Sequence, residues 1–294
     1  MSAPRLAPLP SIRAGEALAA LRRRFASAGV DNPAGDAEVL LCGLLGWDRA
    51  RLHAHPEGEL PAALLPRLEE AASRRERREP LAYITGEKEF WSLPFQVGAG
   101  VLVPRPETEL LVERAAALIR EAGTPRVLDL GTGCGAIAVA LARELPRARV
   151  TATDVSEEAL RYARRNARRN GVEGRVRFLR ADLFGGLGGG AAFDLILSNP
   201  PYVPSPDIER LMPEVSRHEP VGALDGGPDG MRFLRAIVRE APARLRPGGC
   251  LLLEMAPDQI PRCAADVRLT RAFQEPWVRR DLGGRDRVLE AVRV

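Results

Sequence analysis

The chain has 294 residues, 45% of them hydrophobic and 28% charged, enough for a sizeable core and for one or two domains. Lys plus Arg total 43 against 39 for Asp plus Glu, a net charge of +4; Lys88 is the one lysine, and the high pKa of arginine lifts the pI on a small excess. Four widely spaced cysteines (Cys42, Cys134, Cys250, Cys263) with no CxxC pair argue against a disulfide scaffold and a zinc site, and no run approaches the roughly 18 apolar residues of a membrane span.

Three histidines (His53, His55, His218) leave little room for histidine-based metal or acid–base chemistry. The opening MSAPRLAPLPSIR lacks the apolar core of a leader. A soluble, cytoplasmic protein that meets no membrane and uses no metal is expected.

Residues 1–80 read as a small helical bundle. Leu18, Leu21 and Phe25 fall at i, i+3 and i+7, Val39, Leu40 and Leu44 continue such a stripe, and Leu60, Leu64, Leu65 and Leu68 mark another helix running into the charged stretch 74–79. Asn32-Pro33 and His55-Pro56 are turns, with His53 and His55 in a polar connection. Twelve arginines against eleven acids make the bundle nearly neutral, and partner recognition is its expected role. Residues 81–103, with aromatic and β-branched residues around Gly86 and Gly98, read as a hairpin-like connector. Pro104-Arg105-Pro106-Glu107-Thr108-Glu109 then opens a helix: Pro106 suits the first turn, and Glu107 and Glu109 favour its positive end.

From residue 126 strands and helices alternate. Residues 127–130, 149–153 (ending at Asp154), 176–179, 193–198 and 250–255 read as strands. Residues 136–143, 157–170 and a stretch near 231–245 read as helices. This alternation predicts an α/β domain with a parallel sheet and helices on both faces. The low-complexity patch 185–192 reads as a surface loop.

Asp129-Leu130-Gly131-Thr132-Gly133-Cys134-Gly135 stands at the first strand-to-helix turn. Its glycines admit positive φ and close approach of a ligand, although a plain tight turn would also use them. Asp154 ends the next strand, where a carboxylate accepts hydrogen bonds from ribose hydroxyls. GxGxG in place of GxGxxG suits an adenosyl ligand without a pyrophosphate, such as S-adenosylmethionine. Gly131, Thr132, Gly133, Cys134, Gly135 and Asp154 are then cofactor-binding candidates, with Cys134 a small filler. After the third strand, Asp182 is placed to accept from an adenine amino group and Leu183 to wall the ring; a polar strand-end turn is the plainer alternative.

Asn199-Pro200-Pro201-Tyr202 directly follows the strand Phe193–Ser198. An ordinary proline-punctuated loop explains the prolines but neither the Asn at the strand's carboxyl end nor the Tyr. For a neutral planar –NH2 nucleophile, the Asn199 side-chain oxygen and the Pro200 carbonyl can accept both hydrogens, while Pro200 and Pro201 stiffen the turn and Tyr202 stacks on the planar group. Holding the nitrogen about 3–3.5 Å from an electrophilic methyl group contributes roughly 7–11 kcal/mol. Charge developing on that nitrogen is stabilised by the same acceptors.

Asn-Pro-Pro-Tyr with an upstream GxGxG resembles the amino-group methyltransferases acting on DNA, ribosomal RNA and protein glutamine. Gly86-Glu87-Lys88-Glu89-Phe90, Val103-Pro104-Arg105-Pro106-Glu107-Thr108-Glu109 and residues 129–135 are similar to the bacterial release-factor glutamine methyltransferase family. The similarity covers nearly the whole chain, including the tail Asp281-Leu282-Gly283-Gly284-Arg285-Asp286-Arg287. It implies a Rossmann-like class I methyltransferase sheet (104–294) with a helical N-terminal bundle (1–80) and a hairpin connector (81–103). It also implies methyl transfer from S-adenosyl-L-methionine to N5 of the glutamine in the Gly-Gly-Gln motif of class-I peptide-chain release factors, modulating translation termination. Cofactor contact would fall on residues 131–135, Asp154, Leu183 and Asn199, glutamine contact on Asn199, Pro200, Pro201 and Tyr202, and residues 104–108 would close over the cofactor. Two departures stand out: Leu183 replaces a frequent aromatic, and Leu253-Glu254-Met255-Ala256 replaces a frequent Ile-Gly.

Two other readings share these motifs. A nucleic-acid methyltransferase would need a basic groove leading to the site, which the near-neutral bundle argues against. A non-catalytic adenosyl-binding scaffold would be expected to lose residues 199–202 first, and they are intact. Residues 161–180 hold eight arginines and one acid, more positive charge than the whole chain's net, so the basic pI belongs to one segment. Arg161, Arg164, Arg165, Arg168 and Arg169 share a helix face, either solvated or facing an acidic partner.

Overall fold

The apolar runs from Val127 onward form one sheet in the computed structural model, which describes residues 12–120, 123–188 and 193–294. The opening residues 1–11 and part of the patch 185–192 lie outside the described residues. The chain divides into two units: the described residues up to Gly86 together with Pro213–His218, and Glu87–Met212 together with Glu219–Val294.

In the helical unit, α1 (Ala14–Ser27), α2 (Pro33–Leu45), α3 (Arg49–Ala54), α4 (Leu65–Glu76) and α5 (Leu81–Thr85) follow in order. The two-residue strands β1 (Ile12–Arg13) and β2 (Glu59–Leu60) pair antiparallel. Asn32 caps α2 by accepting from the Gly35 N–H at 3.0 Å, with Pro33 at the first helical position, where no N–H is missed. Leu18, Leu21 and Phe25 bury against Leu40, Leu41, Leu52, Leu60 and Leu68. His53 stands in α3 with Nε2 3.3 Å from Glu38, while His55 follows the helix as its cap. Pro213–His218 joins this unit through charge: Arg78 grips both oxygens of Glu214 at 2.6 and 2.8 Å, and the buried Arg75 reaches Glu214 at 2.8 Å and Asp36 at 2.7 Å. The guanidinium fork matches a carboxylate's two oxygens, which is why arginine serves here.

The larger unit opens with the hairpin β3 (Glu87–Phe90) and β4 (Leu93–Gln96). Its turn is made by Trp91 and Ser92, both at φ +54, not by Gly86 or Gly98; the Trp91 N–H donates to Glu109 Oε1 at 2.7 Å. A 3₁₀ turn (Pro106–Thr108) leads into α6 (Glu109–Ile119). Then come β5 (Arg126–Leu130), α7 (Ala136–Glu144), β6 (Arg149–Asp154), α8 (Glu157–Arg169), β7 (Val176–Arg180) and β8 (Phe193–Ser198). The short α9 (Pro213–Ser216) is the helical unit's, and α10 (Arg232–Glu240), β9 (Leu245–Glu254), α11 (Ile260–Thr270), β10 (Trp277–Arg280) and β11 (Asp286–Val292) complete the chain. The strand order is β10-β11-β9-β8-β5-β6-β7.

β5 through β9 are parallel, but β11 and β10 run antiparallel, so the sheet is mixed and the expectation of a wholly parallel one is corrected. The missed hairpin turns at Gly283-Gly284, and its outer strand exposes Trp277 and Val278, leaving no buried apolar run to read. The central strands β5 and β8 are nearly all buried, and the strand order reverses between them. That reversal opens a crevice at the strands' carboxyl ends.

α8 presents Ala159, Leu160, Ala163 and Ala167 inward. Its five face arginines are exposed, and four have acidic partners: Arg161 with Glu158, Arg164 with Glu157, Arg168 with Glu173 and Arg169 with Glu87. This favours the solvated reading of that face. Among the described residues no helix is long and apolar enough to cross a membrane.

Candidate active site

The Gly loop takes its shape from three residues in left-handed conformations, Gly131 (φ +70), Gly133 (φ +57) and Gly135 (φ +85). A Cβ on Gly131 or Gly133 would meet no atom within 4 Å, so these two edge an open cradle. Gly135 is different: a Cβ there would stand 3.0 Å from the Cα and Cβ of Ala163, so its role is to let α8 approach the loop. Thr132 points inward, its hydroxyl donating to Asp129 Oδ2 at 2.6 Å. Asp129 is wholly buried, its Oδ1 has no hydrogen-bond partner among the described residues, and desolvation pushes its carboxyl up to about 7. Cys134 is buried, with its thiol pushed up to about 12 by desolvation, which fits a filler. The Cys134 carbonyl accepts from Asn166 Nδ2 at 2.9 Å, and the same Asn166 side chain bonds both backbone groups of Gln96, tying the Gly loop to the hairpin.

Asp154 closes the cradle at the end of β6. Its Oδ2 accepts from the Gly133 N–H at 2.8 Å and its Oδ1 from the Ser156 N–H at 2.9 Å. Burial raises its pKa, and these backbone donors oppose that shift. A carboxylate has about four lone-pair sites, so it retains capacity for ribose hydroxyls.

Gly131 and Asp154 line a cavity of about 200 Å³ together with Asp182, Leu183, Pro200 and Pro201. Leu183 sits at φ +47, with its carbonyl accepting from the Thr153 hydroxyl at 3.2 Å. Thr132, Cys134 and Gly135 serve the loop from behind and do not line the cavity. Gly133 and Asn199 neighbour lining residues, while Tyr202 is half-buried against the core. Val101 and Leu102, Gly222 and Ala223, and Phe233 also line it, and none of these five was singled out from the sequence. Phe233 had a legible signal, an aromatic at the start of a helix following the Asn-Pro-Pro-Tyr strand. It supplies an aromatic surface to the cavity that Leu183 also walls, and the Arg232 guanidinium lies 4.5 Å over its ring.

The loop after β8 is pinned at several points. Ser198 Oγ donates to the Leu130 carbonyl at 2.7 Å, coupling the ends of β8 and β5. The Tyr202 carbonyl accepts from Gln259 Nε2 at 2.7 Å, and its phenol is pushed up to about 12, chiefly by burial. Asn199 Nδ2 donates to Thr108 Oγ1 at 3.0 Å. Thr108 therefore meets the acceptor loop, and the cavity wall nearest to it in sequence is Gly100–Leu102 rather than residues 104–108. Arg105 pairs with the buried Glu219, which also accepts from the Val103 N–H.

An apolar wall with an aromatic member, an open glycine cradle and two carboxylates at strand ends match the ring, sugar and amino group of an adenosyl cofactor. Among the described residues, no group of three or more His, Cys, Asp or Glu side chains is arranged to hold a metal.

Comparison with known proteins agrees. Residues 16–86 match the family described as PrmC N-terminal domain, and residues 106–213 the one described as methyltransferase small domain. A methyltransferase from Pyrococcus furiosus shares the fold, with a TM-score of 0.51 and 23% identity over 75% of this chain and 98% of that one. The release factor glutamine methyltransferase of Deinococcus radiodurans is 44% identical over 92% of this chain and 95% of its own length. That of Moorella thermoacetica is 42% identical over 95% and 98%. With that identity sustained from the helical bundle to the closing hairpin, the chain belongs to the release factor glutamine methyltransferase family, whose members depend on S-adenosylmethionine.

Proposed function

We propose that this chain transfers a methyl group from S-adenosyl-L-methionine to the side-chain amide nitrogen, N5, of the Gly-Gly-Gln glutamine in class-I peptide-chain release factors. The observation that supports this most is that Pro200 and Pro201, in the loop ending β8, line the same cavity as Gly131 and Asp154. One cavity thus joins a cradle for the donor to acceptors suited to an amide. The cofactor would be held by the backbone of residues 131–135, by Asp154 and Asp182, and between Leu183 and Phe233. When bound, S-adenosylmethionine supplies an electrophilic methyl group on a positively charged sulfur.

The chain's own residues then have positional tasks. Asn199 Oδ1 and the Pro200 carbonyl accept the two amide hydrogens and hold the nitrogen toward the cavity. Both acceptors strengthen their bonds as positive charge develops on that nitrogen, which favours the transition state over the ground state. Pro200, Pro201 and Pro220 bring rigid apolar surface that limits water. No strong base is required before transfer, since the proton can leave afterwards; the Tyr202 phenol, held near 12, stays protonated and packs against the planar group. The helical unit recognises the release factor, and the reaction takes place in the cytoplasm without a metal.

A nucleic-acid substrate is disfavoured because the basic face of α8 is largely occupied by its own acidic partners. The deciding experiment incubates the protein and cofactor with release factor, and separately with DNA and ribosomal RNA. Mass spectrometry is expected to place one added methyl group on the Gly-Gly-Gln glutamine. Methylation confined to nucleic acid would overturn the proposal.

A further inference from the structure

Every fourth residue along α8 meets the segment that leaves the hairpin. Asn170 Nδ2 donates to the Pro94 carbonyl at 3.1 Å. One turn earlier, Asn166 Oδ1 accepts from the Gln96 N–H at 2.7 Å and Nδ2 donates to the Gln96 carbonyl at 3.0 Å. Tyr162 closes on Gly98, where a Cβ would run into the phenol oxygen. Glu158 lies against Gly100 (φ +99), where a Cβ would stand 2.7 Å from its carboxyl carbon. The match is one of pitch. Four helical residues rise about 6 Å and two strand residues about 6.6 Å, so the rungs stay in step through Pro94, Gln96 and Gly98. The Val101 N–H then donates to the Gly98 carbonyl at 3.3 Å, turning the segment at Gly100.

That turn is a wall of the cofactor cavity. Gly100, Val101 and Leu102 line it, and so do Val155, Ser156 and Ala159 around the start of α8. The same helix also holds the Gly loop. Gly135 has room only for its hydrogen against Ala163, and the Asn166 amide donates to the Cys134 carbonyl at 2.9 Å. Asn166 is wholly buried. An amide NH2 has two hydrogens, and here one goes to Gln96 and one to Cys134. Aspartate has the same shape but, ionised, has no hydrogen to give, and its second oxygen would face two carbonyls.

We propose that Asn166 is a positioning residue for the cofactor: through α8 it fixes the gap between the Gly loop and the Gly100–Leu102 wall, with Tyr162 as the next rung toward that wall. The proposal rests on the reading of this cavity as the S-adenosylmethionine site and adds the residues that set its width. Neither side chain lines the cavity, so each acts through the walls it holds.

The test titrates S-adenosylmethionine into the wild type, Asn166→Asp, Tyr162→Ala and Arg165→Ala, with thermal midpoints and the KM for release factor measured alongside. Asn166→Asp should raise the cofactor Kd about tenfold, the scale of one lost hydrogen bond, with the KM for release factor unchanged. Tyr162→Ala removes a rung without stranding a buried polar group, so it keeps the fold. It should raise the Kd about threefold, since contact and no hydrogen bond is withdrawn. Arg165 is exposed on the same helix, and its alanine variant should bind like the wild type. A purely structural role would lower the thermal midpoint and the active fraction without moving the Kd of the folded protein. Wild-type Kd in folded Tyr162→Ala, or an equal rise in Arg165→Ala, overturns the proposal whether or not Asn166→Asp folds. Failure of the wild type itself to bind S-adenosylmethionine would instead overturn the reading of the cavity, so the two failures are separable.

Discussion

Gly131 and Gly135 lie four residues apart in the same loop and share the left-handed conformation, yet the structure gives them different tasks, and replacing each by alanine separates them. At Gly131 the new Cβ meets no atom within 4 Å. The folded chain then bears mainly the cost of a left-handed non-glycine residue, about 1–2 kcal/mol. At Gly135 the same cost applies, and the Cβ also stands 3.0 Å from the Cα and Cβ of Ala163. Favourable carbon contacts lie at about 3.5–4.0 Å, so α8 must retreat by several tenths of an ångström, an overpacking of about 1–3 kcal/mol. Gly135→Ala should therefore cost about 2–5 kcal/mol in all. At about 2–4 °C per kcal/mol for a unit of this size, its thermal midpoint should fall well below that of Gly131→Ala. Cofactor binding should rank the other way once stability is accounted for. The Gly131 methyl enters the cradle, raising the cofactor Kd by at least about tenfold, equivalent to roughly 1.4 kcal/mol. Circular dichroism melts and isothermal titration with the cofactor read the two effects independently. Wild-type cofactor affinity in Gly131→Ala, or equal melting of the two variants, would refute the division of labour.

Asn199→Ala should retain cofactor binding and fold stably while losing about 10²–10³ in kcat, the effect of removing a preorganised group that responds to transition-state charge; a wild-type rate of release-factor methylation would sink the proposed mechanism. Asp129 and Glu254 are both held up at about 7 by burial, so the folded chain keeps protons that the unfolded chain has released. Their contribution to stability is greatest below the ordinary carboxylate range and is lost as pH rises to about 7. The ligand-free wild type should accordingly show a larger fall in thermal midpoint between about pH 5 and 8 than Asp129→Asn with Glu254→Gln, and equal slopes would count against the burial argument. Glu214→Ala leaves Arg75 and Arg78 without their shared carboxylate, and should destabilise the helical unit by about 3 kcal/mol, measured by chemical denaturation; a change below about 0.5 kcal/mol would mean the cluster is solvated.

What was legible in the sequence followed from local chemistry with strong positional signals. The glycine loop, Asp154 at the end of the second parallel strand and Asn199 after the fourth could all be read as candidates, because a buried parallel strand is a run of apolar residues and a ligand site lies at its carboxyl end. The parts that were not legible depend on distant partners. Trp91 and Ser92 turn the hairpin without a glycine, helped by Glu109, eighteen residues away. Asn166 looks like one more polar residue among arginines, and only the fold shows it buried between Gln96 and Cys134. β10 escaped notice because its edge position leaves its side chains largely exposed. Glu254 drew no notice of its own beside the departure at Met255-Ala256, since only the fold shows that its carboxylate is buried.

The assignment of Pro213–His218 to the helical unit has a consequence for modularity. The chain passes between the two units three times, at Gly86, Met212 and His218, so the bundle is not an appendage on a single tether. Severing the chain near residue 80 or 86 would produce two incomplete fragments: a bundle with two arginines deprived of their carboxylate, and a catalytic unit carrying an orphan helical turn inside the segment that follows its acceptor loop. Exchange of this bundle between relatives, in the laboratory or in evolution, must therefore move two stretches of sequence together. A graft of the first stretch alone should fail even where every residue of the cofactor cradle is left in place.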